Sequence, residues 1–307
     1  MICTRLQSKE GGTSNRAGYF LFSRAPIQIF ANDAISRRQS ILLVSKPNLE
    51  GSLSLAPIEA ALLDAGIPYK RRFTQDDPNH APFIRISDDM ATTKTDSSGL
   101  SLSTTIVDGL RGRLGDFRKG PLSSVAQAHV LAMSINPHSH RLRRMRPWIL
   151  SGNWINGALE TTYDPVYSSL RDNLSTEGSI RVIPVTEVPI LHFNNYSWLE
   201  RSEIEEATSK WANSELETRE IIMGNLARPV LNSRLPSTAR VEELLWHCVL
   251  GPGWESDLAS QISMAQSNWE NFTPIKAASI VADSLVYSGE MRLFDPENTA
   301  TSGAFNP

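Results

Sequence analysis

Residues 41–73 read ILLVSKPNLEGSLSLAPIEAALLDAGIPYKRRF, and the periodicity of this stretch decides the fold. The apolar run Ile41–Val44 has the length of a strand, and Lys46, Pro47, Asn48 and Gly51 supply turn chemistry after it. Leu55, Ile58, Leu62 and Leu63 then recur on one face of an amphipathic helix. Gly66 offers the left-handed conformation that ends a helix, and Ile67–Phe73 starts a second strand. Strand, turn, helix and strand in this order form one crossover unit of a parallel sheet. The polar loop 45–52 is thereby placed at the carboxyl end of a strand, where open α/β sheets bind ligands.

On the amino-terminal side, residues 1–16 are polar and expected to fray, while AGYFLFSRAPIQIF (17–30) reads as two short strands, 19–22 and 27–30, divided by Pro26. On the other side, FIRIS (83–87) stops at Asp88 and Asp89, and LSLSTTIVDG (100–109) stops at Asp108. Carboxylates at strand ends are suited to a divalent cation, so Asp88, Asp89 and Asp108 are candidate metal ligands, with Glu50 from the first loop beside them. Asp and Gly are also ordinary turn residues, which leaves a structural reading open.

Two basic segments follow. GLRGRLGDFRKG (109–120) gathers Arg111, Arg113, Arg118 and Lys119, without the GxGxxG spacing or the GKS/GKT ending of a phosphate loop. NPHSHRLRRMRPW (136–148) gathers Arg141, Arg143, Arg144 and Arg146. Both are candidate surfaces for DNA, RNA or an acidic protein partner. Between them, residues 121–135 read as a helix in which His129 is a packed, hydrogen-bonded histidine rather than a ligand, and His138 with His140 lacks the further ligands of a zinc set.

From Trp198 the pattern turns helical. Ser197 with Glu200 and Ser202 with Glu205 have capping-box spacing, and Ile204, Ala207 and Trp211 mark an inward face that runs on toward 221–226. A further helix carries Val241, Leu244, Leu245, Cys248 and Val249 inward, and 254–267 and 274–290 supply two more. The expected architecture is α/β: a Rossmann-like parallel sheet domain over 1–197, a mainly helical lobe over 198–296 and a flexible tail over 297–307.

Composition excludes several classes. Thirty Lys and Arg against thirty-three Asp and Glu give a formal charge of -3, so any attraction to nucleic acid must be local. Two cysteines, Cys3 and Cys248, rule out a disulfide framework or a Cys-rich zinc site. No apolar run approaches the roughly 20 residues of a membrane span, and no secretory signal opens the chain. A cytoplasmic or nuclear setting without a membrane partner is expected. GxSxG, HExxH and paired CxxC motifs are all missing.

The segment ILLVSKPNLEGSLSLAPIEAALLDAGIPY resembles the first strand, loop and helix of the DHH-family phosphoesterases, the superfamily of RecJ-like exonucleases. FIRISDD and STTIVDG resemble the later acid-bearing strand ends of that family, so the likeness covers mainly residues 41–120. The family places a histidine and aspartates in its first loop, where this chain has Ser45 and Asn48–Glu50. A retained fold with a degenerate ligand set implies a noncatalytic scaffold in a nucleic-acid replication or repair assembly, with no cofactor. The alternative is a phosphoesterase or nuclease that uses Mn or Mg at Asp88, Asp89 and Asp108. A Rossmann-like enzyme acting on a small molecule is the third reading.

Overall fold

The structure, a computed structural model, describes residues 21–78, 80–87, 94–95, 99–111, 117–160, 163–230 and 236–291. The expected frayed start (1–16) and tail (297–307) lie outside these residues.

The chain enters through α1 (Leu21–Arg37) and β1 (Ile41–Ser45), followed by α2 (Leu49–Ala65) and β2 (Tyr69–Phe73). Gly66 closes α2 at φ 65°, with its N–H on the carbonyl of Leu63, as the sequence predicts. β3 (Phe83–Ser87), β4 (Lys94–Thr95) and β5 (Gly99–Ser103) complete a five-stranded sheet in the order β2-β1-β3-β5-β4, parallel except for β4. β1 is thus a central strand, flanked by β2 and β3.

Register puts Ile41, Leu43, Ile84, Ile86, Leu100 and Leu102 on one face of the sheet, because side chains alternate and parallel partners point the same way. All six are buried in one core with Leu53, Leu55, Ile58 and Leu62 of α2. Each fully buried aliphatic side chain contributes about 1.5–3 kcal/mol relative to exposure. The connection 74–82 carries the chain from β2 past β1 to β3, and its described residues form no helix. Its Asp77 pairs with Arg85, which alternates away from Ile84 and Ile86, so this crossover runs on the face opposite α2.

β6 (Thr105–Arg111) and β7 (Phe117–Leu122) form a separate antiparallel ribbon. α3 (Ser124–Ile135) and α4 (His140–Met145) follow, then a 3-10 turn at Arg146–Leu150, α5 (Ser151–Ile155) and α6 (Pro165–Thr176). Asp164 caps α6 by accepting from Val166 N–H, the role its position before Pro165 predicts. β8 (Arg181–Ile183) leads through two 3-10 turns to α7 (Arg201–Trp211), α8 (Leu216–Ala227) and α9 (Thr238–Leu245). β9 (Cys248–Leu250) pairs antiparallel with β8, and α10 (Leu258–Gln266), α11 (Asn268–Asn271) and α12 (Pro274–Ser288) end the described chain.

The architecture is α/β, a parallel sheet followed by a largely helical region. Buried apolar residues form two clusters. The second is built around Val185–Tyr196, α7, α8 and α9, whereas Ala278, Val281, Ala282 and Leu285 of α12 join the sheet's own core. No helix among the described residues is long and apolar enough to cross a membrane.

Four local expectations are corrected. Residues 27–30 are helical, not a strand: Ile27, Phe30, Ala31 and Ala34 recur at helical spacing and are buried in the core, with Pro26 inside the helix. Residue 248 lies in β9 rather than in the preceding helix, because pairing with β8 completes a two-stranded sheet. Helix α2 is buried from Leu49 to Leu62 almost without interruption instead of on one face, since α3 and α12 cover what the sheet does not; Leu63 is exposed. The capping box of α7 uses Glu200 and Glu203, each side chain accepting from the other residue's backbone N–H.

Candidate functional site

The carboxyl end of β1 is the position that topology marks for chemistry, and there the chain uses its polar groups on itself. Asn48 caps α2, its Oδ1 accepting from Gly51 N–H at 2.8 Å. A side chain at residue 51 has no room, because its Cβ would meet the carbonyl oxygen of Lys46 at 2.5 Å and Ser45 Oγ at 2.6 Å. Ser52 Oγ donates to the carbonyl of Asn48.

Glu50, the one acid of the loop, accepts from Ser124 Oγ at 2.6 Å and from Asn156 Nδ2 at 3.3 Å. Ser124 opens α3 directly after the Ser123 cap, and its hydroxyl also lies 3.1 Å from Ser54 Oγ. Trp269 reaches in from α11 and donates its indole N–H to the carbonyl of Pro47 at 3.0 Å. The loop is therefore held by α3, by the turn after α5 and by α11. Sequence reasoning missed Ser124, Asn156 and Trp269, since each lies far along the chain from the loop and none belongs to a spaced motif.

Beside the strand end, Gln127 is fully buried and donates to the carbonyls of Ser103 and Leu122 and to Thr105 Oγ1. It pins the start of the β6–β7 ribbon to the end of the sheet. Asn153 fixes the ribbon's exit, donating to the carbonyl of Pro121 and to Asp164 Oδ2, both at 2.7 Å.

Of the three aspartates proposed as metal ligands, Asp108 alone is among the described residues. Asp88 and Asp89 lie outside the described residues. Asp108 is not at a strand end: β6 runs on to Arg111, and Asp108 stands in the ribbon directly across from Lys119. Val107 and Gly120 alternate toward α6, which places Asp108, Lys119, Ile106 and Pro121 on the ribbon's other face. Among the described residues no group of three or more His, Cys, Asp or Glu is arranged to hold a metal ion.

The basic residues also divide. Arg118 and Lys119 are exposed on β7. Arg111 ends β6, and Arg113 lies outside the described residues. In the second cluster Arg141 pairs with Asp64 at the end of α2. Arg144 donates to the carbonyl of Tyr287 at 3.0 Å, and Arg146 donates to Ser179 Oγ at 2.8 Å and to Glu177 at 3.3 Å. Three of the four arginines thus tie α4 and the turn after it to α2, α12 and α6, and Arg143 remains exposed. His129 is packed as expected but not hydrogen-bonded through Nε2, which has no partner; burial first, and then the Arg146 charge, hold it neutral with its pKa down at about 3.

A charged cluster that no motif announced lies between β2, α2 and α12. Arg71 Nη1 donates to both carboxylate oxygens of Glu59, at 3.1 and 3.2 Å, and its Nη2 to Asp283 at 2.8 Å. Burial outweighs the arginine and raises Glu59 from 4.5 to about 7. The folded state therefore binds this proton more tightly than the unfolded chain does. The associated stability is complete below about 4.5 and is lost as pH rises through about 7. The shift corresponds to on the order of 3 kcal/mol. Urea midpoints of the wild type should fall between pH 5 and pH 8, and Glu59→Gln should flatten that dependence; equal slopes in both proteins would rule out Glu59 as its source.

No protein-family model matches the sequence, and no curated protein matches it.

Proposed function

We propose that this chain is a noncatalytic scaffold, a subunit of a nucleic-acid replication or repair assembly. The observation that supports the reading is the occupation of the β1 strand end by the chain's own contacts: Asn48 caps its helix, Glu50 is held by Ser124 and Asn156, and Trp269 covers the Pro47 carbonyl. A loop that needs its polar groups for architecture has fewer left to orient a cation or a phosphate. The nucleic-acid part rests on the resemblance of residues 41–120 to the DHH-family phosphoesterases and on the exposed Arg118 and Lys119 of the ribbon. A two-stranded ribbon carrying exposed cations suits contact with a phosphate backbone.

Incubation of the full chain with single-stranded DNA and RNA oligonucleotides in Mn²⁺ or Mg²⁺ should give no cleavage. Fluorescence anisotropy with the same oligonucleotides should show salt-sensitive binding that Arg118→Glu with Lys119→Glu weakens by about tenfold or more. Manganese-dependent product that disappears in Asp88→Ala or Asp108→Ala would instead assign the phosphoesterase activity. Binding untouched by the double variant would remove the ribbon from the interface.

A further inference from the structure

The outer face of α8 is complementary to itself, and we propose that it forms an antiparallel homodimer with a second copy of this chain. The inward face of α8 is Ile222, Met223, Leu226 and Ala227, all buried in the second core. On the opposite side Glu217, Ile221, Gly224 and Arg228 follow one another at intervals of four, three and four residues, which keeps them on one stripe. All four are exposed, Ile221 to 64%. A large apolar side chain this open, in a row with a bare glycine, is uncommon on a helix that already has its own core to face.

Gly224 sharpens the argument. Glycine inside an exposed helix is unfavourable, because it loses the most backbone freedom on folding. Nothing among the described residues requires it, since a Cβ built there meets none of their atoms within 4 Å. What glycine does allow is the close approach of another backbone or a protruding side chain from outside.

Setting two copies of α8 antiparallel about the helix midpoint brings Ile221 of one copy over Gly224 of the other, a large side chain against an open space. The same two-fold relation sets Glu217 against Arg228. Acid meets base and a large side chain meets an open space, each contact occurring twice as an isologous interface demands. Among the described residues neither Glu217 nor Arg228 is engaged in an ion pair within its own chain. A parallel arrangement would instead place Glu217 on Glu217 and Arg228 on Arg228, and like charges exclude it. One helix per copy makes a small interface, so dissociation on the order of 10–100 µM is expected.

Sedimentation equilibrium of the full chain tests this. Glu217→Arg alone and Arg228→Glu alone should each weaken dimerisation at least about tenfold, since both place like charges across the contact. An equimolar mixture of the two single variants should dimerise again, because every pair in that heterodimer is of opposite sign. Gly224→Ala should weaken the dimer while leaving the thermal midpoint unchanged or raised, as alanine favours the helix itself. A wild type that stays monomeric at several hundred micromolar overturns the proposal. So do single variants that associate like the wild type, or a mixture that remains monomeric.

Discussion

Arg171→Met is expected to lower the unfolding free energy by about 3–5 kcal/mol, because it leaves a buried carboxylate without its cation. Arg171 projects from α6 and pairs with Glu243 of α9, and both side chains are almost fully buried. The same guanidinium bonds Asp172 at 3.1 Å and lies 3.0 Å from His247 Nδ1. Burial alone would favour a neutral guanidine, yet the Glu243 charge raises Arg171 above its ordinary range, so the guanidinium is held charged. Removal of the arginine exposes Glu243 to the full cost of desolvation, and Glu243 Oε2 already lacks a partner. The pair spans the junction between the sheet-side helices and the second core, so the loss should also appear as faster hydrogen exchange in α9. Arg171→Met with Glu243→Leu should recover most of the stability, since an apolar pair of similar volume needs no counter-charge. A double variant as unstable as the single one would mean that packing, not the unpaired charge, carries the effect. These values come from urea unfolding at pH 7, fitted to a double-mutant cycle.

Trp148→Ala should cost about 3–5 kcal/mol, the range for truncating a buried aromatic side chain to a methyl group. Trp148 is fully buried in the turn between α4 and α5, and its ring lies 5.7 Å from that of Trp254 at an angle of 59°. Its indole N–H donates to the carbonyl of Gly289 at 2.9 Å, just beyond the end of α12. One side chain thus packs the 3-10 turn and secures the last described helix. Trp148→Phe preserves most of the contact but loses the hydrogen bond, and should cost about 1–2 kcal/mol beyond the lost volume. A loss below about 1 kcal/mol for the alanine variant would show that the surroundings collapse into the space, contrary to the rigid packing described.

Residues 41–73 were legible because their signals are local and agree with one another: an apolar run, an Asn cap, an apolar helix and a left-handed Gly66 each restrict the backbone within a few residues. Asp164 before Pro165 was legible for the same reason. Residues 27–30 were misread because β-branched and aromatic residues suit a strand as well as a buried helix face, and because Pro26, which usually interrupts a helix, stands inside this one. Asp108 was placed at a strand end because Asp-Gly reads as a turn, whereas pairing with β7 extends β6 through it. The partly buried Arg71 was in principle visible, since Tyr69, Arg71 and Phe73 alternate against Lys70 and Arg72 and Phe73 points inward. What concealed it was the usual rule that arginines face water.

The sequence alone determined the crossover unit, the parallel sheet it belongs to and the helical character of the chain beyond Trp198. It also determined which segments carry positive charge. Only the tertiary structure decided what those charges do: Arg141, Arg144 and Arg146 read as a free basic patch, yet each meets an oxygen on a distant helix or turn. Only the tertiary structure, likewise, showed Glu50 in the grip of Ser124 and Asn156 and the Pro47 carbonyl under Trp269. The physical reason is the range of the forces. Backbone propensity and side-chain periodicity act over neighbouring residues and can be read along the chain. The partner of a polar group is set by whichever element packs beside it, and sequence distance does not record that.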